Sequence, residues 1–314
     1  MKVLVTGAAG FIGFHTCKAL LEQGYEVCGF DSYNDYYDPA LKRARANELP
    51  FEVENVDLKN PQEVNNFFID HKPGAVIHLA AYAGVRSSLQ NPTQYINNNI
   101  IGTQNLINAC ERDNVQIALY ASTSSTMSGQ PIPFKETNPG PSKHPYAMTK
   151  VANESQFSYS KIPTTIGLRF FTVYGPWGRP DMALFDFANK IVKGETIDIY
   201  NHGKMTRDFT YVDDIVNGIM ILLKACINNN VLPQKDVYNI GYGERVQLLD
   251  FVDHIEKNLG IKAIRNYTEM HPADAVDTWS DTSKLKALGY KPTTSVAEGV
   301  ANFISWYKEY YGVK

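Results

Sequence analysis

Cysteine is scarce in this 314-residue chain. Its four cysteines, Cys17, Cys28, Cys110 and Cys226, stand far apart and form no C-x-x-C pair. That excludes the usual zinc-binding and disulfide-framework patterns, and it fits a reducing, cytoplasmic setting. No metal site is expected. No apolar run approaches the ~18 residues that a membrane span needs. The opening run superficially resembles a signal peptide, but glycines, His15 and Lys18 interrupt it, and a buried strand explains it better. Blocks of like charge are missing too, and the formal net charge is only -3. This argues against non-specific nucleic-acid binding and leaves room for local basic pockets that hold phosphates. Repeats, low-complexity segments and long linkers are absent. With 44% apolar and 20% charged residues, the composition is that of an ordinary globular chain. The length suits one large domain or two smaller ones sharing a core.

What is present begins at the first residues. Val3 to Val5 reads as a buried strand, Gly7, Gly10 and Gly13 follow in G-x-x-G-x-x-G spacing, and an amphipathic helix continues through Cys17 to Leu21. A strand, a glycine turn and a helix start together form a phosphate cradle. The glycines let the backbone approach a pyrophosphate, and the helix N-terminus supplies N–H donors and the positive dipole end. A second strand over Tyr25 to Phe30 ends at Asp31, 18 residues beyond Gly13. A carboxylate there bonds adenosine ribose hydroxyls and repels a 2′-phosphate, so the spacing predicts NAD rather than NADP. The plainer readings are a glycine-rich turn without ligand and an Asp serving as a turn residue.

The alternation continues. Strands are expected over Phe51 to Val56, Ala75 to Ala81, Val115 to Ala121 and Thr164 to Phe171, with helices from Asn60 to His71, from Thr93 to Arg112 and from Pro145 onward. The third strand runs into Asp57-Leu58, placed to flank an adenine. Strand–helix repetition of this kind predicts an α/β fold built on a Rossmann-type, doubly wound parallel sheet. The strand at Ala75 has no polar alternation, as expected when both faces are buried, and His78 within it reads as a core histidine with its hydrogen bonds satisfied. The fifth strand ends in Ser122-Thr-Ser-Ser-Thr-Met-Ser128, at the sheet edge where such folds bind ligands.

Tyr146 and Lys150 are four apart and share a helix face. Facing a dinucleotide, a tyrosine so placed can act as a base, the ammonium lowering its pKa by stabilising the phenolate. A hydroxyl at the neighbouring strand end, Thr123, can share the substrate oxygen. The set suits removal of an O–H proton as a C–H hydride leaves. A Y-x-x-x-K pair alone is weak, but here it follows the glycine motif and the hydroxyl-rich strand end in the right order.

The chain resembles an extended short-chain dehydrogenase/reductase over essentially its whole length. Within that superfamily it resembles the nucleotide-sugar epimerases, most closely UDP-glucuronate 4-epimerases. The residues that carry the resemblance are 31–39, His78-Leu-Ala-Ala-Tyr-Ala-Gly-Val-Arg86, Tyr146-Ala-Met-Thr-Lys150, 168–183 and Gly203-Lys-Met-Thr-Arg-Asp-Phe-Thr-Tyr-Val-Asp-Asp214. The resemblance implies C4 epimerisation of a UDP-hexuronate by tightly held NAD, through a transient 4-keto sugar, with Thr123, Tyr146 and Lys150 catalytic. It implies cofactor contacts at Gly7, Gly10, Phe11, Ile12, Gly13, Asp31, Asn34, Asp57, Leu58, Leu79, Ala80, Ala81 and Asn99. Ser124, Ser125 and Thr172 would bond the uronate carboxylate, Arg179 and Arg207 the UDP diphosphate, and Asp274 the uridine ribose; Arg86, a lone loop arginine, reads either as a substrate-binding anion contact or as an ordinary surface charge. The implied architecture has an NAD-binding domain of residues 1–173 plus about 211–243, and a smaller C-terminal α/β domain for the nucleotide sugar, about 174–210 plus 244–314. Helices 93–112 and 146–160 would form the four-helix interface of a homodimer.

Related decarboxylases carry a Glu, and related dehydratases Asp-Glu, just after the Thr-containing segment; here Ser124-Ser125 follows Thr123, with no acid before Glu136. Three departures bear on the substrate. Thr126-Met127-Ser128 replaces the usual Val-Tyr-Gly, Pro272-Ala-Asp274 replaces Pro-Gly-Asp with His271 ahead of it, and Tyr82 stands where Gln is frequent. UDP-glucose/galactose or UDP-pentose epimerisation, a nucleotide-sugar reductase or decarboxylase, and a non-catalytic binding protein remain alternatives.

Overall fold

The computed structural model describes residues 1–137, 139–228, 232–271 and 274–313. In chain order the first elements are β1 (Lys2–Thr6), α1 (Phe11–Glu22), β2 (Glu26–Asp31), α2 (Pro39–Asn47), β3 (Val53–Asn55), α3 (Pro61–His71) and β4 (Ala75–His78). Next come α4 (Val85–Gln90), α5 (Pro92–Tyr95), a π-helical segment (Ile96–Ile101), α6 (Gly102–Arg112), β5 (Ile117–Thr123) and α7 (Pro145–Tyr159). Then follow β6 (Thr164–Phe170), β7 (Thr172–Tyr174), α8 (Ala183–Val192), β8 (Thr196–Tyr200), β9 (Thr206–Arg207), β10 (Phe209–Tyr211) and α9 (Val212–Ile227). The last are β11 (Lys235–Ile240), β12 (Val246–Gln247), α10 (Leu248–Leu259), β13 (Ile264–Thr268), α11 (Ser283–Lys286) and α12 (Val296–Tyr311).

Seven strands form one parallel sheet in the order β3-β2-β1-β4-β5-β6-β11. Helices follow the strands as crossovers, giving the doubly wound Rossmann-type arrangement. The central strands are buried on both faces, which is why they read as apolar runs. Short pairs complete the C-terminal part: β7 with β10, β9 with β12, and β8 with β13. A large apolar core links the sheet to α8, α9, α10 and α12. Among the described residues no helix is long and apolar enough to cross a membrane.

Two local differences from the sequence expectations matter. The helix expected over Thr93 to Arg112 contains the π-helical segment, a run of six residues too short for apolar spacing to tell its i→i+5 bonding from that of an α-helix. The fourth strand ends at His78; Leu79 N–H still bonds the Thr6 carbonyl at 3.2 Å, and the chain runs on through Ala81 at the sheet's carboxyl edge. His78 itself is buried and hydrogen-bonded between the Thr6 and Thr103 hydroxyls at 2.7 and 2.9 Å, the satisfied core histidine expected.

Candidate active site

An open cleft of about 380 Å³ lies at the carboxyl edge of the sheet. Gly10, Phe11, Ile12 and Gly13 line one end, Thr123, Ser124, Ser125, Tyr146 and Lys150 the middle, and Thr172, Arg179, Arg207 and Asp274 the other walls.

The glycine turn is built by contact. A Cβ on Gly13 would lie 2.0 Å from the Gly7 carbonyl oxygen, and one on Gly10 would lie 2.9 Å from it. Gly7 has φ +69° and lies against the Ala80 backbone, where a Cβ would come within 2.9 Å. Gly10 caps α1 without a side-chain bond, and the first turn of α1 carries no acid. The N–H groups of that turn have no intrahelical acceptor, and their residues line the cleft. This backbone donor set fits a dinucleotide pyrophosphate. A second cavity beside it is lined by Asp31, Asn34, Leu58, Ala80 and Ala81. The Asp31 carboxylate accepts from Tyr33 N–H at 2.9 Å and stands 3.7 Å from the Lys42 ammonium. Burial raises its pKa, and Lys42 opposes that rise. A buried carboxylate at this depth suits ribose hydroxyls.

Four expected cofactor residues lie outside the linings of both cavities, Gly7 of the glycine turn among them. The Asp57 carboxylate accepts from Lys59 N–H and pairs with the Lys59 ammonium. Leu79 packs against the apolar core. Asn99 spends its amide on both backbone groups of Tyr82 and on the Thr149 hydroxyl, and its neighbour Asn98 lines the adenosine-side cavity instead.

In the middle of the cleft, Tyr146 and Lys150 project from one face of α7, and Thr123 is the last residue of β5. The Thr123 hydroxyl lies beside the Tyr146 phenol, close enough to draw its pKa down, and it accepts from Ser125 N–H at 3.3 Å. Lys150 donates to the Ala121 carbonyl at 3.0 Å. The expectation that Lys150 lowers the tyrosine pKa needs correction. Burial raises Tyr146, and the groups that pull it back down are Thr123 and the Arg179 charge. Lys150 is itself shifted down to about 8 by burial, with Glu154 one turn along the helix opposing. Glu154 accepts two bonds from Arg169 at 2.8 Å and one from the Ser122 hydroxyl at 2.6 Å. This buried pair fastens α7 to the ends of β5 and β6, setting the helix that carries Tyr146 against the strand that carries Thr123.

The cleft's arginines are held differently. Arg179 pairs with Asp181, donates to the Ala83 carbonyl and faces the Tyr36 ring at 5.5 Å. Arg207 is pinned by the carbonyls of Thr206, Ala275 and Val276. Burial lowers its pKa; Asp274 and Asp277 oppose the shift, and nearby Arg86 adds to it. Arg86 does not line the cleft. It donates to the Asp274 carboxylate at 2.8 Å and lies 4.0 Å over the Tyr200 ring. Two residues expected to hold substrate therefore hold each other, and the cluster Arg86, Asp274 and Arg207 carries a net positive charge suited to phosphate.

The departures resolve in part. Met127 is fully buried with Phe134 and Phe171, so loss of the usual aromatic changes the core beneath the cleft and not its wall. Tyr82 borders the dinucleotide side, edge-on to Tyr36 and Tyr95. Pro272 and Ala273 lie outside the described residues.

Sequence reasoning missed four residues. Ser128 and His144 line the cleft, and Asp181 holds Arg179. Arg45 is fully buried and donates to the carbonyls of Ala9, Trp177 and Gly178 and to the Tyr37 hydroxyl. Asp181 was findable as the acid two residues from Arg179. The Arg45 bonds span up to 133 positions and leave no local signal.

The family model for the NAD dependent epimerase/dehydratase family matches residues 3–241. A Rhizobium meliloti (strain 1021) protein named probable UDP-glucuronate 4-epimerase is 41% identical, over 99% of this chain and 98% of that one. The structure of UDP-glucuronic acid 4-epimerase from Bacillus cereus, solved with UDP-glucuronic acid and NAD, superposes with TM-score 0.89 at 33% identity, over 99% of this chain and 100% of that one. UDP-glucose 4-epimerase from Thermus thermophilus, solved with NAD, gives TM-score 0.87 at 27% identity, over 98% and 99% of the two chains.

Proposed function

This chain belongs to the NAD dependent epimerase/dehydratase family, and from that premise we propose that it is an NAD-dependent 4-epimerase interconverting UDP-glucuronate and UDP-galacturonate through a transient 4-keto sugar. One observation carries the uronate reading. The wall around Tyr146 offers hydroxyls from Thr123, Ser124, Ser125, Ser128 and Thr172, and among the described lining residues the sole carboxylate is Asp274, already paired with Arg86. Such a wall welcomes a sugar carboxylate. Glu136, the first acid after Thr123, accepts from Asn239 N–H away from the cleft.

Bound NAD supplies a reversible hydride acceptor for the sugar C4–H. Gly10 to Gly13 hold its pyrophosphate by backbone N–H, and Asp31 takes the adenosine ribose. Thr123 and Tyr146 receive the 4-hydroxyl; once the Tyr146 phenol, neutral in the ligand-free fold, has been ionised, its oxygen takes the hydroxyl proton and later returns it. Lys150, held by Ala121, keeps a positive charge beside this proton path at neutral pH. Ser124, Ser125 and Thr172 bond the carboxylate and fix it against loss of carbon dioxide from the 4-keto acid. Arg207 takes the diphosphate, and Asp274, braced from behind by Arg86, reaches the uridine ribose. Arg179 belongs to the same anion-binding set, stationed nearer the glycine turn. In this reading residues 1–173 with about 211–243 carry the dinucleotide, and about 174–210 with 244–314 the nucleotide sugar.

The protein acts as a homodimer in this reading. Exposed Ile96, Ile101, Met148 and Tyr159 give the π-helical segment and α7 an apolar outer face that a second copy would cover, and solution mass checks this. Four free, buried cysteines suit a cytoplasmic setting.

The decisive test is incubation with UDP-glucuronate, UDP-galacturonate, UDP-glucose and UDP-xylose, with NMR of the products. UDP-galacturonate formed from UDP-glucuronate, without net NADH at 340 nm, is the expected result. A pentose product would show decarboxylation, and stoichiometric NADH would show a dehydrogenase. Tyr146→Phe should abolish turnover, a loss of about 10²-fold or more.

A further inference from the structure

Four helices in this fold begin alike, with a capping residue followed by proline: Asp38-Pro39, Asn60-Pro61, Asn91-Pro92 and His144-Pro145. In each, the side chain of the first residue accepts a backbone N–H of the first turn, from Ala40, Gln62, Gln94 and Ala147 respectively. Asp and Asn are ordinary for this task, and His is not among the preferred caps. The three Asx caps are exposed, whereas His144 is buried and lines the cleft. Capping alone does not explain an imidazole at the one proline-headed helix start of the four that opens on the active site.

The ring's hydrogen bonding is constrained. Nδ1 accepts from Ala147 N–H at 3.1 Å, so the neutral ring carries its proton on Nε2. Burial also favours the neutral form. Nδ1 is turned to the helix start, and the remaining ring edge is the part left to face the cleft. Among the described residues no protein group accepts from Nε2. The ring lies parallel to that of Tyr146, at 7° and 6.2 Å between centroids, so both present to the same sugar space. Ser125 and Ser128 border that space.

We propose that His144 is a substrate-contact and specificity residue, its Nε2–H donating to the carboxylate of the hexuronate beside Tyr146. The inference rests on the uronate reading above. A carboxylate accepts several bonds, and the hydroxyls already facing it leave acceptor capacity over. A neutral N–H adds one more bond without adding a second charge beside Lys150.

The test separates the cap from the contact. His144→Asn keeps a side-chain acceptor for Ala147 N–H and deletes Nε2–H; His144→Ala removes both. Calorimetry on the dinucleotide-loaded protein gives Kd for UDP-glucuronate and for UDP-glucose, which carries CH₂OH where the carboxylate stands. His144→Asn should weaken UDP-glucuronate about tenfold, as expected for one hydrogen bond to a charged group, and leave UDP-glucose within about twofold on the same scale. The Asn variant should keep the wild-type Tm, and the Ala variant should lose some. Equal weakening of both sugars, or unchanged Kd for both, overturns the proposal, and a fall in Tm alone reduces His144 to a cap. Wild-type protein that turns over UDP-glucuronate alongside an unaffected His144→Asn variant sinks this inference and leaves the function standing. Wild-type protein inactive on UDP-glucuronate sinks the function and this inference with it.

Discussion

The two ends of the cleft are built from different materials. At the dinucleotide end the donors are main-chain N–H groups, fixed by glycines that tolerate no Cβ. At the end where the proposed function puts the nucleotide sugar, they are the guanidinium groups of Arg179 and Arg207, held by an ion pair and by backbone carbonyls. A backbone site is rigid and cannot be trimmed piecemeal. A side-chain site can lose one member and survive. Ligand retention at one end is therefore all-or-none, and affinity at the other is graded.

Gly13→Ala is the harshest test of that contrast. Its methyl group would lie 2.0 Å from the Gly7 oxygen, so the turn must move. The protein should lose its bound dinucleotide and drop in Tm by about 5 °C or more, given ~1–3 kcal/mol for overpacking. A variant that purifies with normal dinucleotide content would break the comparison. Arg207→Ala should act more gently, raising KM for the UDP-sugar about tenfold or more while the dinucleotide stays bound, as expected for the loss of a charged hydrogen bond. A kcat collapse at unchanged KM would place Arg207 at the chemistry instead. The smallest effect belongs to Lys150, between the two ends. Its pKa is about 8 in the ligand-free fold, against 10.5 for an ordinary lysine. Between those values the unfolded chain binds more protons than the folded one, so this group makes stability rise with pH there. The Tm difference between wild type and Lys150→Met should shift in favour of wild type from pH 8 to pH 10.5; a flat difference would mean that the buried ammonium carries no such penalty.

The same contrast explains what could be read in advance. Backbone chemistry announces itself locally: Gly7, Gly10, Gly13 and Asp31 form a spacing, and the strand–helix alternation announces the parallel sheet. Side-chain sites assemble from distant segments, so Arg207 and Asp274 were found only through resemblance. Resemblance marks Asp57, Leu79 and Asn99 as cofactor contacts; in the ligand-free fold their side chains bond neighbours or pack against the core. Tyr146 shows a different limit: the Lys four residues on predicts a lowered pKa, but burial decides the sign.

Arg45 ties these two ends together. One guanidinium bonds the carbonyl of Ala9 in the glycine turn and those of Trp177 and Gly178, the two residues just before Arg179. A loop transplanted from a relative with another sugar preference would have to bring matching carbonyl positions, or disturb the seat of the hydride carrier as well. A change of substrate range engineered into this chain thus starts from a mechanical joint that no substitution loosens on one side alone.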